Sequence, residues 1–330
     1  MEALAARGCV RMFRCGPVSI RLRAGDESWL GRLASELMLF DVPWEPELEF
    51  AIDVAEGSAR GPEVKGTFLR CARYQVDREG AQFRAQSLSG ASCELDMTLG
   101  RARIFAPRGS QDNDVREDVE QFLLFVVVHG WRRLGWTPLH VGSVVGPEKC
   151  ALLCATSGGG KSTFTAALLR RGFRTLGDDK LLAKRVDGMK GMAVRAISRS
   201  MNLDPAVARW FPEAAGLSDL PPYSRWTPKR KAVIERLWPG ATIPEARPRL
   251  LFKLLRSEEC GGIRMQRLEP WEVREALARQ VVIPSDREAA RPLLETIMAL
   301  AEQLEGWRVV LGRDAYEDPK TLRPVEEMLL

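Results

Sequence analysis

The 330-residue chain has only two histidines and three tyrosines, no C-x-x-C pair, and no apolar run of membrane-spanning length. Each shortage excludes a class of protein. Seven cysteines at irregular spacing, at 9, 15, 71, 93, 150, 154 and 260, do not make a zinc site or a disulfide framework. Their simplest reading is reduced thiols in a cytoplasm. The most apolar run, 122–128, is far shorter than a membrane span. The first 16 residues lack the apolar core of a signal peptide. These features predict a cytoplasmic protein with no membrane role. Charge is nearly balanced, 49 basic against 44 acidic residues for a net +5, and no nucleic-acid recognition module is visible, so no nucleic-acid partner is expected. There is no internal repeat and no low-complexity tract. The hydrophobic fraction of 45% is that of a folded globular chain.

The chain is long enough for two domains. Residues 1–110 read as a strand-rich N-terminal domain. Leu48–Val54 alternates with the period of a half-buried strand, and 67–74, 81–87, 93–99 and 102–106 are further short candidates. The segment 28–40 reads as a helix. The polar stretch 107–114 marks a boundary, with Asn113 or Asp114 placed to cap a helix over 115–134. Val115, Val119, Phe122, Leu123, Val126 and Val127 recur at three- and four-residue steps, so one face of that helix is buried. His129 lies in it and packs or caps there.

Residues 111–330 read as the catalytic domain. Strands are expected at 139–145 and 149–154, a helix at 161–171, and strands at 174–176, 180–185 and 193–197. A short helix is expected at 204–210, and the proline-rich, basic stretch 217–242 reads as loops. Strands at 249–255 and 263–268 and helices at 269–279 and 286–305, the last capped by Ser285, complete the reading.

The chemistry concentrates at 151–163. An apolar strand runs into Ala155-Thr156-Ser157-Gly158-Gly159-Gly160, and Lys161-Ser162-Thr163 opens a helix. Glycines let backbone N–H groups turn inward around a phosphate, and a helix N-terminus adds free N–H groups and a positive dipole end. Lys161 supplies a point charge to the β- and γ-phosphates, and Ser162 offers a hydroxyl to Mg²⁺. The pattern is that of an ATP-binding phosphate loop spanning Ser157 to Thr163. Alanine stands at 155, where G-x-x-x-x-G-K-[ST] has its first glycine. The bland alternative is a glycine-rich helix start without a ligand.

Asp178-Asp179 follows seventeen residues after Lys161, room for one helix and a return strand. Beside a γ-phosphate, one carboxylate of such a pair serves as base toward an attacking hydroxyl while the other holds Mg²⁺. Like charges raise one pKa of such a pair. The bland reading is a solvated Gly-Asp-Asp turn. The basic residues of 225–256 are either a solvated face or a clamp on phosphate or an acidic peptide, and Arg195 is a further candidate.

Leu139-His140-Val141-Gly142, then 151–163, then Arg171-Gly172-Phe173-Arg174-Thr175-Leu176-Gly177-Asp178-Asp179, resembles the catalytic core of the HPr kinase/phosphorylase family over about residues 137–185. It looks nearer to HPr kinase-related proteins found beside genes for ribosomally made peptides, some of which phosphorylate a serine of a precursor peptide. The resemblance implies an α/β fold related to phosphoenolpyruvate carboxykinase, with a mixed sheet around the phosphate loop. It implies that Asp178 is the base, that Lys161 and Ser162 hold phosphate and Mg²⁺, and that His140 belongs to the site. It also implies a homo-oligomer. The pattern departs at Ala155, at His140-Val-Gly in place of His-Gly-Val, and at 193–198, which keeps an arginine but lacks the metal-binding glutamate of the family.

The expectation is an ATP- and Mg²⁺-dependent kinase acting on a serine of a peptide or small protein. Asp178, Lys161 and His140 are catalytic, and Ser162 and Asp179 are at the metal. A kinase of a small molecule, or a carboxykinase-like enzyme, is the second reading. A nucleotide-switched scaffold whose N-terminal domain holds a peptide is the third.

Overall fold

The computed structural model describes residues 9–25, 29, 33, 45–57, 63–109, 112–156, 158–185, 191–224 and 227–330. Most of the helix expected at 28–40 and Ser157 of the phosphate loop lie outside them. The chain forms two compact units, one of residues 1–136 with 283–292, the other of 137–282 with 293–330. The sequence expectation drew the division before the helix of 113–133; by contacts it falls after it.

The first unit carries β1 (Cys9–Cys15), β2 (Val18–Ala24), β3 (Leu48–Glu56), β4 (Leu69–Arg70), β5 (Tyr74–Glu79), β6 (Gln82–Ser87), β7 (Ser92–Asp96) and β8 (Arg101–Ala106). They form one mixed sheet in the order β1-β2-β3-β8-β7-β6-β5-β4. β3 is parallel to both β2 and β8, and the remaining pairs are antiparallel. The expected strand at 67–74 is two elements, because the chain turns between Cys71 and Tyr74.

Helix α1 (Asn113–Arg133) lies on β8, β7 and β2. All six residues of its expected apolar stripe are buried. Its cap is Asp112, whose side chain accepts from Asp114 N, and not Asn113 or Asp114. His129 packs among Phe83 and Phe125, with ring centroids 4.5 and 4.2 Å away. Burial holds its pKa down at about 3, so it is a neutral core residue.

The second unit is α/β with three sheets. Its strands are β9 (Thr137–Leu139), β10 (Gly142–Val145), β11 (Cys150–Cys154), β12 (Leu181–Arg185), β13 (Met192–Ala196), β14 (Ser200–Leu203), β15 (Pro222–Ser224), β16 (Thr227–Val233), β17 (Glu245–Ala246), β18 (Pro248–Arg256), β19 (Ile263–Arg267) and β20 (Glu305–Leu311). Its helices are α2 (Lys161–Leu169), α3 (Ile234–Leu237), α4 (Pro270–Ala278) and α6 (Arg323–Leu329), with α5 (Arg287–Glu302) crossing from one unit's residues into the other's. Asp286 caps α5 by accepting from Ala289 N at 3.0 Å, in place of the expected Ser285.

The central sheet has the order β10-β11-β18-β20-β19. β11, β18 and β20 run parallel; β10 and β19 are antiparallel edges. β11 is buried on both faces, as an all-apolar strand with neighbours on both sides must be. Ala151 and Leu153 point to the core that holds Phe164 and Leu168 of α2. Leu152 and Cys154 point to a second core with Leu181, Val194, Leu251 and Leu277.

Four expectations for this half change. The strand of 139–145 breaks at His140–Val141: β9 joins β12 in the sheet β17-β13-β12-β9, whereas β10 joins β11. Residues 174–176 make only isolated bridges, Val145–Arg174 and Thr175–Thr242. The stretch 217–242 is not loop throughout, since β15 and β16 form a sheet with β14. β20, which the sequence reading passed over, lies between β18 and β19 in the central sheet.

None of the seven cysteines forms a disulfide. Burial pushes the Cys150 and Cys154 thiols up to about 12, so they pack as small apolar groups. Among the described residues no helix is long and apolar enough to cross a membrane.

Candidate active site

Two glycines between β11 and α2 hold backbone angles that glycine adopts readily. Gly158 and Gly160 have φ of +77° and +94°, a region that side-chain-bearing residues rarely adopt. Gly160 stands at the N-cap of α2, and no side chain caps this end. Its first-turn N–H groups therefore have no side-chain partner from the cap and a positive dipole end behind them. Lys161, Ser162 and Thr163 form that first turn. The Lys161 ammonium folds back to donate to the Ala155 carbonyl at 3.2 Å. Arg256, at the end of β18, brings Cδ to 3.8 Å from where a Cβ on Gly160 would stand. Because β18 is parallel to β11, both strands deliver their carboxyl ends to one edge, where ligands bind in such sheets.

Asp178 meets Ser162 directly. The Ser162 hydroxyl donates to Asp178 Oδ2 at 2.6 Å, and the Asn202 backbone N–H donates to the same oxygen at 3.4 Å. Asp178 is only 2% exposed, and its Oδ1 has no hydrogen-bond partner. Burial raises its pKa to about 6, and the charge of Asp179 adds to the rise; the Ser162 and Asn202 hydrogen bonds and Lys229 pull the other way.

Asp179 takes the opposite course. The His140 ring donates from Nε2 to Oδ1 at 2.5 Å, and the Lys180 ammonium reaches Oδ2 at 3.0 Å. Burial pushes this carboxyl up as well, but His140 and Lys180 outweigh it and hold Asp179 far below the usual carboxylate range. The two carboxylates thus differ in charge tendency, one near neutral pH and one permanently ionised, as paired acid and base roles require.

A buried hydroxyl network fixes the Asp178 segment. Ser143 Oγ on β10 accepts from Leu176 N at 2.9 Å, and the Thr175 hydroxyl donates to the Ser143 carbonyl at 2.8 Å. Gly177 N donates to Thr175 Oγ1 at 2.9 Å, and Ser143 N donates to the Gly177 carbonyl at 3.0 Å. Gly142 allows the close approach: a Cβ there would lie 2.9 Å from the Asp178 carbonyl oxygen. The sequence reading missed Ser143 and Thr175. The one legible sign was a serine inside an otherwise apolar strand.

Of the expected site residues, the structure brings Ser162 to Asp178 and His140 to Asp179, while the Lys161 ammonium lies on the Ala155 carbonyl. It sets other candidates apart. Arg195 pairs with Glu245, and Lys253 with Glu275 at 3.3 Å. Of the basic stretch, Lys229 acts on Asp178 and Arg256 stands at the loop. Among the described residues no group of three or more His, Cys, Asp or Glu side chains is arranged to hold a metal ion. The donors beside the loop are instead oxygens of mixed type, a hydroxyl and carboxylates. That set suits a Mg²⁺ completed by phosphate and water, and the unpartnered Asp178 Oδ1 leaves an acceptor open beside it.

No protein-family profile matches the chain, and no curated protein does. Among solved structures the chain is similar to the HPr(Ser) kinase/phosphatase from Coxiella burnetii, at 10% identity over 58% of this chain and 97% of that one, with a TM-score of 0.32. A likeness this distant carries no functional argument, and the function rests on the side chains themselves.

Proposed function

We propose that the protein is an ATP-dependent phosphotransferase that moves the γ-phosphoryl group to a serine hydroxyl of a peptide or small protein. The observation that carries this reading is the pairing of Ser162, in the first turn of a glycine-led helix, with a buried Asp178 that keeps one oxygen without a hydrogen-bond partner. In this reading Gly158–Thr163 receive the phosphates, and Lys161 leaves the Ala155 carbonyl to meet the β- and γ-phosphates. Ser162 and Asp179 are the groups that would hold Mg²⁺, which when bound neutralises charge on the transferring group.

Asp178 is the general base. Its Oδ2 is anchored by Ser162, and its Oδ1 accepts the proton of the acceptor hydroxyl. As that proton leaves, the acceptor oxygen bonds to the γ-phosphorus and the bond to the bridging oxygen breaks, releasing ADP. A carboxyl with a pKa of about 6 is mostly ionised at pH 7 yet basic enough to take a proton. His140 and Lys180 hold Asp179 in place as an anion. Arg256 and Lys229 are positioned to stabilise charge on the phosphoryl group and on the acceptor.

The test is intact-mass analysis of serine-containing peptides incubated with ATP and Mg²⁺. Wild type is expected to add one phosphoryl group to an acceptor, and Asp178→Asn to slow this about 10²–10⁴-fold. Undiminished turnover by Asp178→Asn would remove Asp178 from the role of base.

A further inference from the structure

On β14, whose Asn202 backbone N–H reaches Asp178, a second oxygen is enclosed without a partner, the amide Oδ1 of Asn202. Native proteins leave few buried polar atoms unpaired, so each one calls for an occupant. Asn202 stands on β14 between Met201 and Leu203, both core residues, and its side chain lies on the strand's other face. Its backbone N–H reaches the same Asp178 oxygen that takes the Ser162 hydroxyl. Asn202 is thereby tied to the mouth of the loop through two hydrogen bonds. Pairing with β16, where Lys231 lies directly opposite, fixes its register.

The chemistry of the set limits what fills it. The Ser162 hydroxyl and the Asp179 carboxylate, assigned to the metal above, and Asn202 Oδ1 are all hard oxygen donors, and Asn202 Oδ1 lacks any hydrogen-bond partner. Hydroxyl, carboxylate and amide oxygens together favour a hard divalent cation over a soft metal. We propose that Asn202, through Oδ1, is a ligand of the divalent cation that accompanies the nucleotide, on the same side as Ser162. The inference rests on the nucleotide reading above. It adds a neutral ligand that no motif or spacing singles out. The competing role for this amide is to donate its N–H₂ to Asp178 and only position it; the two roles diverge when the amide becomes a carboxylate, which accepts but does not donate.

The experiment titrates Mn²⁺ into the full-length chain in the presence of ADP and counts free Mn²⁺ by electron paramagnetic resonance. Wild type, Asn202→Ala and Asn202→Asp are compared, with ADP affinity in EDTA and thermal melts measured alongside. Asn202→Ala is expected to weaken Mn²⁺ binding about ten-fold or more, the loss typical of a group in a metal's coordination environment. Asn202→Asp is expected to bind Mn²⁺ at least as tightly as wild type, and metal-free ADP affinity to stay within two-fold throughout. The inference is overturned if Asn202→Ala keeps wild-type Mn²⁺ affinity, if Asn202→Asp is as weak as Asn202→Ala, or if metal-free ADP binding falls with it. Wild type that binds no ADP with or without Mn²⁺ would sink the nucleotide reading, and this inference with it.

Discussion

Replacing Asp178 by asparagine is expected to slow the proposed transfer about 10²–10⁴-fold and at the same time stabilise the fold in alkaline buffer. The carboxyl is 2% exposed, and its pKa rises from 3.8 to about 6 on folding. A carboxyl raised in this way binds its proton more tightly in the folded state. Its contribution is fully favourable below the unfolded value and is lost as pH rises through about 6. At pH 8 the ionised carboxylate therefore opposes folding by about 3 kcal/mol, and at pH 4 by well under about 1 kcal/mol. Asparagine keeps an acceptor for the Ser162 hydroxyl and the Asn202 N–H but carries no charge to bury.

The variant is thus expected to gain up to about 3 kcal/mol over wild type at pH 8, roughly 6–12 °C in Tm for a unit of this size. The gain shrinks toward zero at pH 4. Metal-free thermal or denaturant unfolding at the two pH values measures it. A gain independent of pH, or a loss at pH 8, would refute the claim that a buried, destabilised carboxylate sits there.

Further expectations follow from the same contacts. Gly142→Ala places a Cβ 2.9 Å from the Asp178 carbonyl, so unfolding should show a loss of about 1–3 kcal/mol with turnover falling through a displaced Asp178. Thr175→Val keeps the volume but removes the hydroxyl that serves Gly177 N and the Ser143 carbonyl, and about 1–3 kcal/mol of stability should go with it in denaturant titration. His140→Ala removes the strongest influence keeping Asp179 ionised, so the Asp179 carboxyl is expected to titrate at higher pH in the variant, followed by NMR of its side-chain carbon.

The strand–turn–helix of 151–163 was legible because its three parts are local: an apolar strand, a run of glycines and a Lys-Ser-Thr helix start. The meeting of Ser162 with Asp178 was legible only as a spacing. What holds Asp178 there comes from Ser143, Asn202 and Gly142, which local periodicity cannot connect to it. The break at His140–Val141 was hidden because both pieces are apolar, and nothing in the run shows that they join different sheets. β16 read as loop because Lys229, Arg230 and Lys231 are all half-buried in a ribbon, leaving no alternation apart from the buried Ala232. β20 was obscured by Trp307 and Arg308 in the middle of its pattern, and by a helix expected to run into it. In the first unit the α1 stripe was read correctly, since a helix on one sheet face must repeat its apolar residues.

The central claim is that a nucleotide's phosphates sit on the loop of residues 155–163. Calorimetric titration of ATP with Mg²⁺ into wild type, Lys161→Ala and Ser162→Ala tests it most directly. The account predicts saturable one-site binding by wild type, loss of binding in Lys161→Ala, and in Ser162→Ala a weakened response to Mg²⁺ with metal-free nucleotide binding retained. Absence of binding by wild type, or binding that Lys161→Ala leaves unchanged, would contradict it.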